Sequence, residues 1–234
     1  LKLRIAEKFA HIIFTASQKS FRLKSGKVCV VGHGIDTKEF APHKKENTNT
    51  FQIVSVGRIS PVKDYETFIQ AVSVLVQEKF PVQVTIMGDV VLESERTYLA
   101  RMKSLVQEKH LDGVVTFVGS VPHKQLPEKF AQADILVSAS GTGSVDKAIL
   151  EAMACGVPTV TSNEAFTEVF GVDATMLMFP VHNIQQLVQR IKYVYNLGAS
   201  SRAELGERLR TVVATHHNIE NVIPKMLDIY ETSR

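Results

Sequence analysis

The sequence predicts an α/β protein built on a parallel sheet covered on both faces. Two observations carry this. Short runs rich in β-branched and aliphatic residues recur through the middle of the chain, with apolar residues on both sides of the run. Such strands must be buried on both faces. Between the runs lie stretches with apolar residues at helical spacing, and regular strand–helix alternation selects parallel strands joined by crossover helices.

The elements follow in order. Phe51–Val56 (FQIVSV) is a strand ending at Gly57, and Asp64 precedes a helix marked by Phe68, Ala71, Val72 and Leu75. Val82–Met87 is a second strand, followed by a helix with Leu99, Met102, Leu105 and Val106 on one face. Val114–Val118 is a third strand, Gln125–Ala131 a short helix and Ile135–Val137 a fourth strand. Lys147–Met153 is a helix; Gly156 stops it and Pro158–Thr161 is a fifth strand. Right-handed crossovers then give a Rossmann-like, doubly wound domain. The C-terminal stretch is helical, with stripes at Leu187, Ile191 and Val194, at Leu205, Leu209, Val212 and Val213, and at Val222, Met226, Ile229 and Tyr230. Before the sheet, 1–10 reads as a helix with Leu1, Ile5 and Phe9 on one face, and His11–Ala16 and Val28–Val31 as two strands. Two strands do not make a stable parallel sheet alone. Residues 1–40 are therefore expected to be the tail of a preceding domain, most of it absent, with 41–50 a polar linker and 51–234 the main domain.

The composition is that of an ordinary globular protein: 234 residues, 44% hydrophobic and 22% charged. No apolar run approaches the roughly 20 residues needed to cross a bilayer, and Lys2, Arg4, Glu7 and Lys8 break any signal-peptide pattern. Cys29 and Cys155 read as small buried hydrophobes of a reducing compartment. The net charge of +3 is unevenly spread. Seven Lys or Arg face one Glu in the first 27 residues, so the remainder is net acidic. That basic front end either packs against the missing domain, the preferred reading, or makes a peripheral contact with anionic lipid. An acidic body without an aromatic-interleaved basic stripe argues against nucleic acid.

Ligands of open parallel sheets bind beyond the carboxyl ends of the strands. After the first strand, Arg58 and Lys63 share a Gly/Pro loop opened by Gly57 and could close on a diphosphate; two solvated surface cations would look the same. After the fourth strand, small residues from Ser138 to Asp146 open a helix whose N-terminus suits phosphate or sugar hydroxyls. A plain loop with Ser144 or Asp146 as N-cap is the alternative, and both can hold at once. Glu151, between Leu150 and Ala152, is expected to be partly buried, accepting either from ribose hydroxyls or from nearby backbone. His123, His216 and His217 read as surface residues rather than ligands, and no metal-ligand cluster is visible.

Taken together these motifs resemble the family-four retaining glycosyltransferases, whose catalytic unit is the two-domain GT-B fold, and the match covers nearly the whole chain. Val31-Gly32-His33-Gly34-Ile35-Asp36 with Phe40 is similar to the family's interdomain Pro-Asn-Gly-Val-Asp…Phe segment, with His33 where Asn is usual. Val56-Gly57-Arg58-Ile59 and Lys63 resemble its diphosphate clamp, and Gly88-Asp89 its following turn. Phe117-Val118-Gly119-Ser120-Val121 is similar to the segment on which the nucleobase packs, with Val121 the base contact. The most specific match is Leu150-Glu151-Ala152-Met153-Ala154-Cys155-Gly156-Val157-Pro158, where the family's Glu binds ribose. One departure stands out. The family's second Glu, eight residues earlier, is here Gly143, and Ser144-Val145-Asp146 replaces Gly-Phe-Gly; Asp146 is the candidate to hold the sugar hydroxyls instead.

The resemblance implies transfer of a sugar, with retention, from a nucleoside diphosphate sugar such as a UDP- or GDP-sugar to an acceptor hydroxyl on a saccharide or lipid. Arg58, Lys63 and Asp146 are the expected catalytic residues. Gly57, Arg58, Lys63, Val121, Gly143, Ser144, Val145 and Glu151 are the expected donor-binding residues. Electrostatic stabilisation of the leaving diphosphate would make a metal unnecessary, and the expected place of work is the cytoplasm, with the inner face of the membrane the alternative if the front end meets lipid. The alternative is a non-catalytic nucleotide-sugar-binding or interaction module. A dinucleotide-dependent dehydrogenase ranks low, because Gly57 does not open a Gly-x-Gly-x-x-Gly turn.

Overall fold

The structure, a computed structural model, describes residues 2–21, 23–46, 48–141 and 143–232. Leu1, Arg22 and Thr142, which entered the predicted helix face, the basic count and the Gly-rich loop, lie outside the described residues. The chain runs α1 (Lys2–Phe9), β1 (Ile13–Thr15), β2 (Val28–Val30), β3 (Phe51–Val56), α2 (Tyr65–Gln77), β4 (Val82–Met87), α3 (Arg96–Glu108) and β5 (Val115–Gly119). It continues with α4 (Leu126–Ala131), β6 (Ile135–Ser138), α5 (Lys147–Ala154), β7 (Thr159–Thr161), α6 (Thr167–Phe170) and α7 (Ala174–Leu177). Three longer helices close it: α8 (Ile184–Asn196), α9 (Gly198–His216) and α10 (Ile219–Thr232).

Strands β3 to β7 form one all-parallel sheet in the order β5-β4-β3-β6-β7. Its centre is the most apolar part. Ile53, Val84, Ile86, Ile135 and Val137 of the three inner strands are at most 1% exposed, and the edge strand β7 is buried as well. Helices α3 and α8 pack on α2, and α4 and α9 pack on α5, on the opposite face. The strand order reverses between β3 and β6. This places the crevice of a doubly wound sheet at their carboxyl ends, beside Gly57 and Ser138.

The first forty residues are less separate than the sequence suggested. β1 and β2 do pair in parallel as a two-stranded sheet. Ile35 and Phe40, however, are buried members of the main core. Ile35 is hydrogen-bonded on both sides to the α9–α10 junction: its N–H donates to His217 O (2.6 Å) and its carbonyl accepts from Ile219 N (2.9 Å). The 41–50 stretch has no helix or strand, yet it is tied down. Lys45 pairs with Asp134 at 2.5 Å and Glu46 N donates to Gln132 at 3.0 Å. None of the described residues of α1 is buried, and Phe9 is 79% exposed. Of the third C-terminal stripe only Val222 is buried, while Ile219, Ile223, Leu227 and Tyr230 make an exposed apolar row on α10. Among the described residues, no helix is long and apolar enough to cross a membrane. Both cysteines are free thiols; Cys29 is half-buried, and burial pushes the Cys155 thiol up to about 12.

Candidate functional site

The loop after β3 folds back on itself for local reasons. Pro61 opens a single 3-10 turn, Pro61–Lys63, and Asp64 ends it in the left-handed region at φ 48°. Asp64 then caps α2 by accepting from Thr67 N at 3.3 Å. This turn carries Lys63 back over Gly57, whose φ of 148° is a conformation that side-chain-bearing residues rarely adopt; an added Cβ would also lie 2.9 Å from the Lys63 Cε and push the lysine aside. Tyr65, 1% exposed, fixes the turn from below by donating its hydroxyl to Gly57 O at 3.1 Å. Its burial raises the phenol's pKa well above the ordinary value.

Lys63 does not stand free. Its Nζ pairs with Oδ2 of Asp146 across the crevice, and the two side chains are 20% and 13% exposed. The other oxygen of Asp146 caps α5 by accepting from Ala148 N at 3.2 Å. Arg58 points elsewhere. Its Nε lies 3.4 Å from Glu95, and its side chain is 45% exposed. Burial alone would raise the Glu95 carboxyl. The N–H groups of Leu92 and Val91, each at 3.1 Å, together with Arg58 outweigh this and hold it below the usual carboxylate range.

The loop after β6 also departs from the sequence expectation. Gly143 and Val145 are buried, and the Val145 N–H, one of the donors expected to face a ligand, donates to Ser20 Oγ at 3.3 Å. Ser144 is exposed, while its carbonyl accepts from Asn163 Nδ2 at 2.7 Å. Val121 is half-buried and packs on the core after β5.

Glu151 is more buried than expected, at 3%. Its partners are side chains rather than backbone: Oε1 meets His123 Nε2 at 2.7 Å and Lys147 Nζ at 3.2 Å. Sequence reasoning had set His123 aside as a surface residue. Its side chain is half-exposed, but its inner nitrogen sits on the buried carboxylate. The surface reading fails at His217. It is 4% exposed with Nδ1 unpaired, and desolvation, helped by His33 and His216, depresses its pKa to about 4. The structure thus joins Gly57, Lys63 and Asp146 at the crevice and puts Glu151 one turn and more along the helix that Asp146 caps. Arg58 is turned to Glu95. Among the described residues, no group of three or more His, Cys, Asp or Glu is placed to hold a metal.

Comparisons with known proteins bear on the fold and the family. The family described as glycosyl transferases group 1 matches residues 36–212. WcaL of Escherichia coli K12, named for colanic acid biosynthesis, is 26% identical over 200 residues, covering 82% of this chain and 48% of that protein. The D-inositol 3-phosphate glycosyltransferase of Pseudarthrobacter chlorophenolicus is 26% identical over 175 residues, covering 68% of this chain and 41% of that protein. The chain therefore spans about half the length of these relatives or less. Among solved structures, the sucrose-phosphate synthase of Thermosynechococcus elongatus superposes with a TM-score of 0.86 at 22% identity, over 99% of this chain and 61% of that one. Anabaena HepE in complex with UDP superposes with a TM-score of 0.84 at 18% identity, over 98% of this chain and 66% of that one. The topology, the crevice and the family match agree: this chain belongs to the group 1 glycosyltransferases of the GT-B fold.

Proposed function

We propose that the chain is the donor half of a retaining glycosyltransferase and takes a nucleoside diphosphate sugar at the carboxyl ends of β3 and β6. The observation that carries this reading is the Lys63–Asp146 pair spanning the crevice. A diphosphate is a stronger anion than one carboxylate and would draw Lys63 onto itself. Arg58, 45% exposed and in the same loop, would exchange Glu95 for the diphosphate and serve as a forked donor. Negative charge grows on the diphosphate as the glycosidic bond breaks, and these two cations with the α5 N-terminus would stabilise it without a metal. Asp146, released by Lys63, would then be open to sugar hydroxyls. Glu151 would take the ribose and Val121 the base. HepE was crystallised with UDP and with UDP-glucose, which makes UDP the first nucleotide to try here.

In this reading 1–40 is the end of the acceptor domain and the interdomain segment, 41–50 is the linker, and the enzyme works in the cytoplasm, at the inner face of the membrane if its basic front end meets lipid. The acceptor is a saccharide or lipid hydroxyl. The second reading, a binding module without turnover, is favoured by Gly143 standing where the family carries an acid.

Calorimetric titration with UDP, GDP and ADP in the presence of EDTA tests the proposal. One of the three is expected to bind saturably, and Arg58→Ala and Glu151→Ala are each expected to weaken it at least about tenfold, the value of a charge-assisted hydrogen bond. Unchanged affinity in both variants would remove the site assignment, and binding abolished by EDTA would remove the metal-free mechanism.

A further inference from the structure

We infer that His123 is a positioning residue that makes Glu151 a receptor for a vicinal diol; this rests on the ribose reading of Glu151 given above. A carboxylate whose side chain is 4% exposed must be satisfied by donors, or its burial is prohibitive. Among the described residues Glu151 has one hydrogen-bond donor and one paired ammonium, both on the same oxygen. His123 Nε2 reaches Oε1 at 2.7 Å and Lys147 Nζ reaches it at 3.2 Å. A carboxylate only accepts, so Nε2 is the donor and carries the proton. Rotation about the last bond of a glutamate is otherwise broad. The His123 hydrogen bond and the Lys147 charge, converging on Oε1 from different elements, fix the plane of the group and direct Oε2 away from them. No hydrogen bond to Oε2 occurs among the described residues. Its two lone pairs are what adjacent hydroxyls of a furanose would use.

Lys147 cannot fix this geometry by itself. It lies on the same helix four residues earlier, and its flexible side chain is half-exposed. His123 is held from outside that helix. Pro122 opens the 3-10 turn His123–Gln125 after β5, and the Phe40 ring meets the imidazole edge-on with centroids 5.0 Å apart. Phe40 is itself 1% exposed and ordered by the core. The imidazole is thus seated between a fixed ring and the carboxylate. Three chain segments, around Phe40, His123 and Glu151, meet to aim one oxygen.

The test compares binding of UDP with that of 2′,3′-dideoxy-UDP, or GDP with its dideoxy form where GDP is the tighter ligand, by calorimetry on the full chain. The wild type is expected to prefer the ribose form at least about tenfold, and Glu151→Gln to abolish most of that preference. His123→Ala is expected to reduce the preference to about threefold or less while leaving affinity for the dideoxy ligand unchanged. His123→Gln, whose amide nitrogen can donate from nearly the same place, is expected to restore it. A preference lost in Glu151→Gln but intact in His123→Ala would overturn the role of His123 and leave the reading of Glu151 standing. Equal loss of both ligands in His123→Ala without rescue by Gln would show a merely structural part and overturn it too. A wild type without preference, or one untouched by Glu151→Gln, would overturn both.

Discussion

Asp146 and Glu151 show how much a single side chain's surroundings add to its identity. Both acids were singled out from sequence, Asp146 because it follows a Gly-rich loop and Glu151 because it sits among apolar residues. Neither partner set was legible. Lys63 reaches Asp146 over a gap of 83 residues, and no periodicity encodes such a meeting. His123, in a polar Pro-His-Lys-Gln stretch, is exposed as its sequence suggests, but the packing of α4 on α5 brings its Nε2 to Glu151, a contact that no local pattern encodes. His217 is the converse case, a histidine whose burial next to His216 no local pattern reveals. It carries a prediction about pH. Its folded-state pKa is depressed to about 4 from an ordinary 6.5, so the unfolded chain takes the proton more readily. The neutral side chain's contribution is present above about 6.5 and is lost as pH falls toward 4, on the order of 3 kcal/mol in full. Thermal melts across that window should show the loss, and His217→Leu should flatten its upper half. An unchanged slope in that variant would show that His217 is not the group responsible.

At the scale of elements, the central strands and the helices between them were readable because burial on both faces leaves an unambiguous apolar run. Val54 and Leu136 pair where two such runs meet. The ends drifted by a residue, as at β5, which is shifted toward Gly119 because pairing with Met87 continues past a register irregularity. What sequence could not give was how closely helices approach. Helix α9 crosses the end of α5 with almost no separation: a Cβ on Gly206 would lie 1.9 Å from the carbonyl oxygen of Gly156. Propensity alone says that Gly206→Ala stabilises α9 by up to about 1 kcal/mol. The clash says the opposite, since backbone cannot yield as a flexible side chain can. We expect a loss of about 2 kcal/mol or more in chemical denaturation. A gain in stability would mean that α9 stands further from α5 than described.

At the scale of the whole molecule, the amphipathic reading of the C-terminal stretch was right about helicity and only partly right about burial. The row Ile219, Ile223, Leu227 and Tyr230 faces outward on α10, as do Leu3, Ile5 and Phe9 on α1. A periodicity shows that a helix has an apolar face; it does not name what the face meets. Two measurements bear on that face. Under the donor-half reading, the isolated chain should bind nucleotide while transferring sugar slowly or not at all, and an ordinary turnover rate would overturn it. If the basic front end meets lipid, the chain should float with anionic vesicles and lose this when Lys2, Arg4 and Lys8 are changed to Glu. Equal flotation of both forms would end the lipid idea.

The pairing of Ile35 with the α9–α10 junction has a mechanical side. The pairing is parallel, so β2 enters at one end of it and α10 leaves from the other, and Lys225 adds a bond from α10 to Val30 O at 2.7 Å. A pull applied through β2 and α10 is therefore carried by this clasp before it reaches the five-stranded sheet. Tension arriving along the chain from either side would be shunted across the base of the domain, leaving the crevice between β3 and β6 unloaded until the clasp gives way.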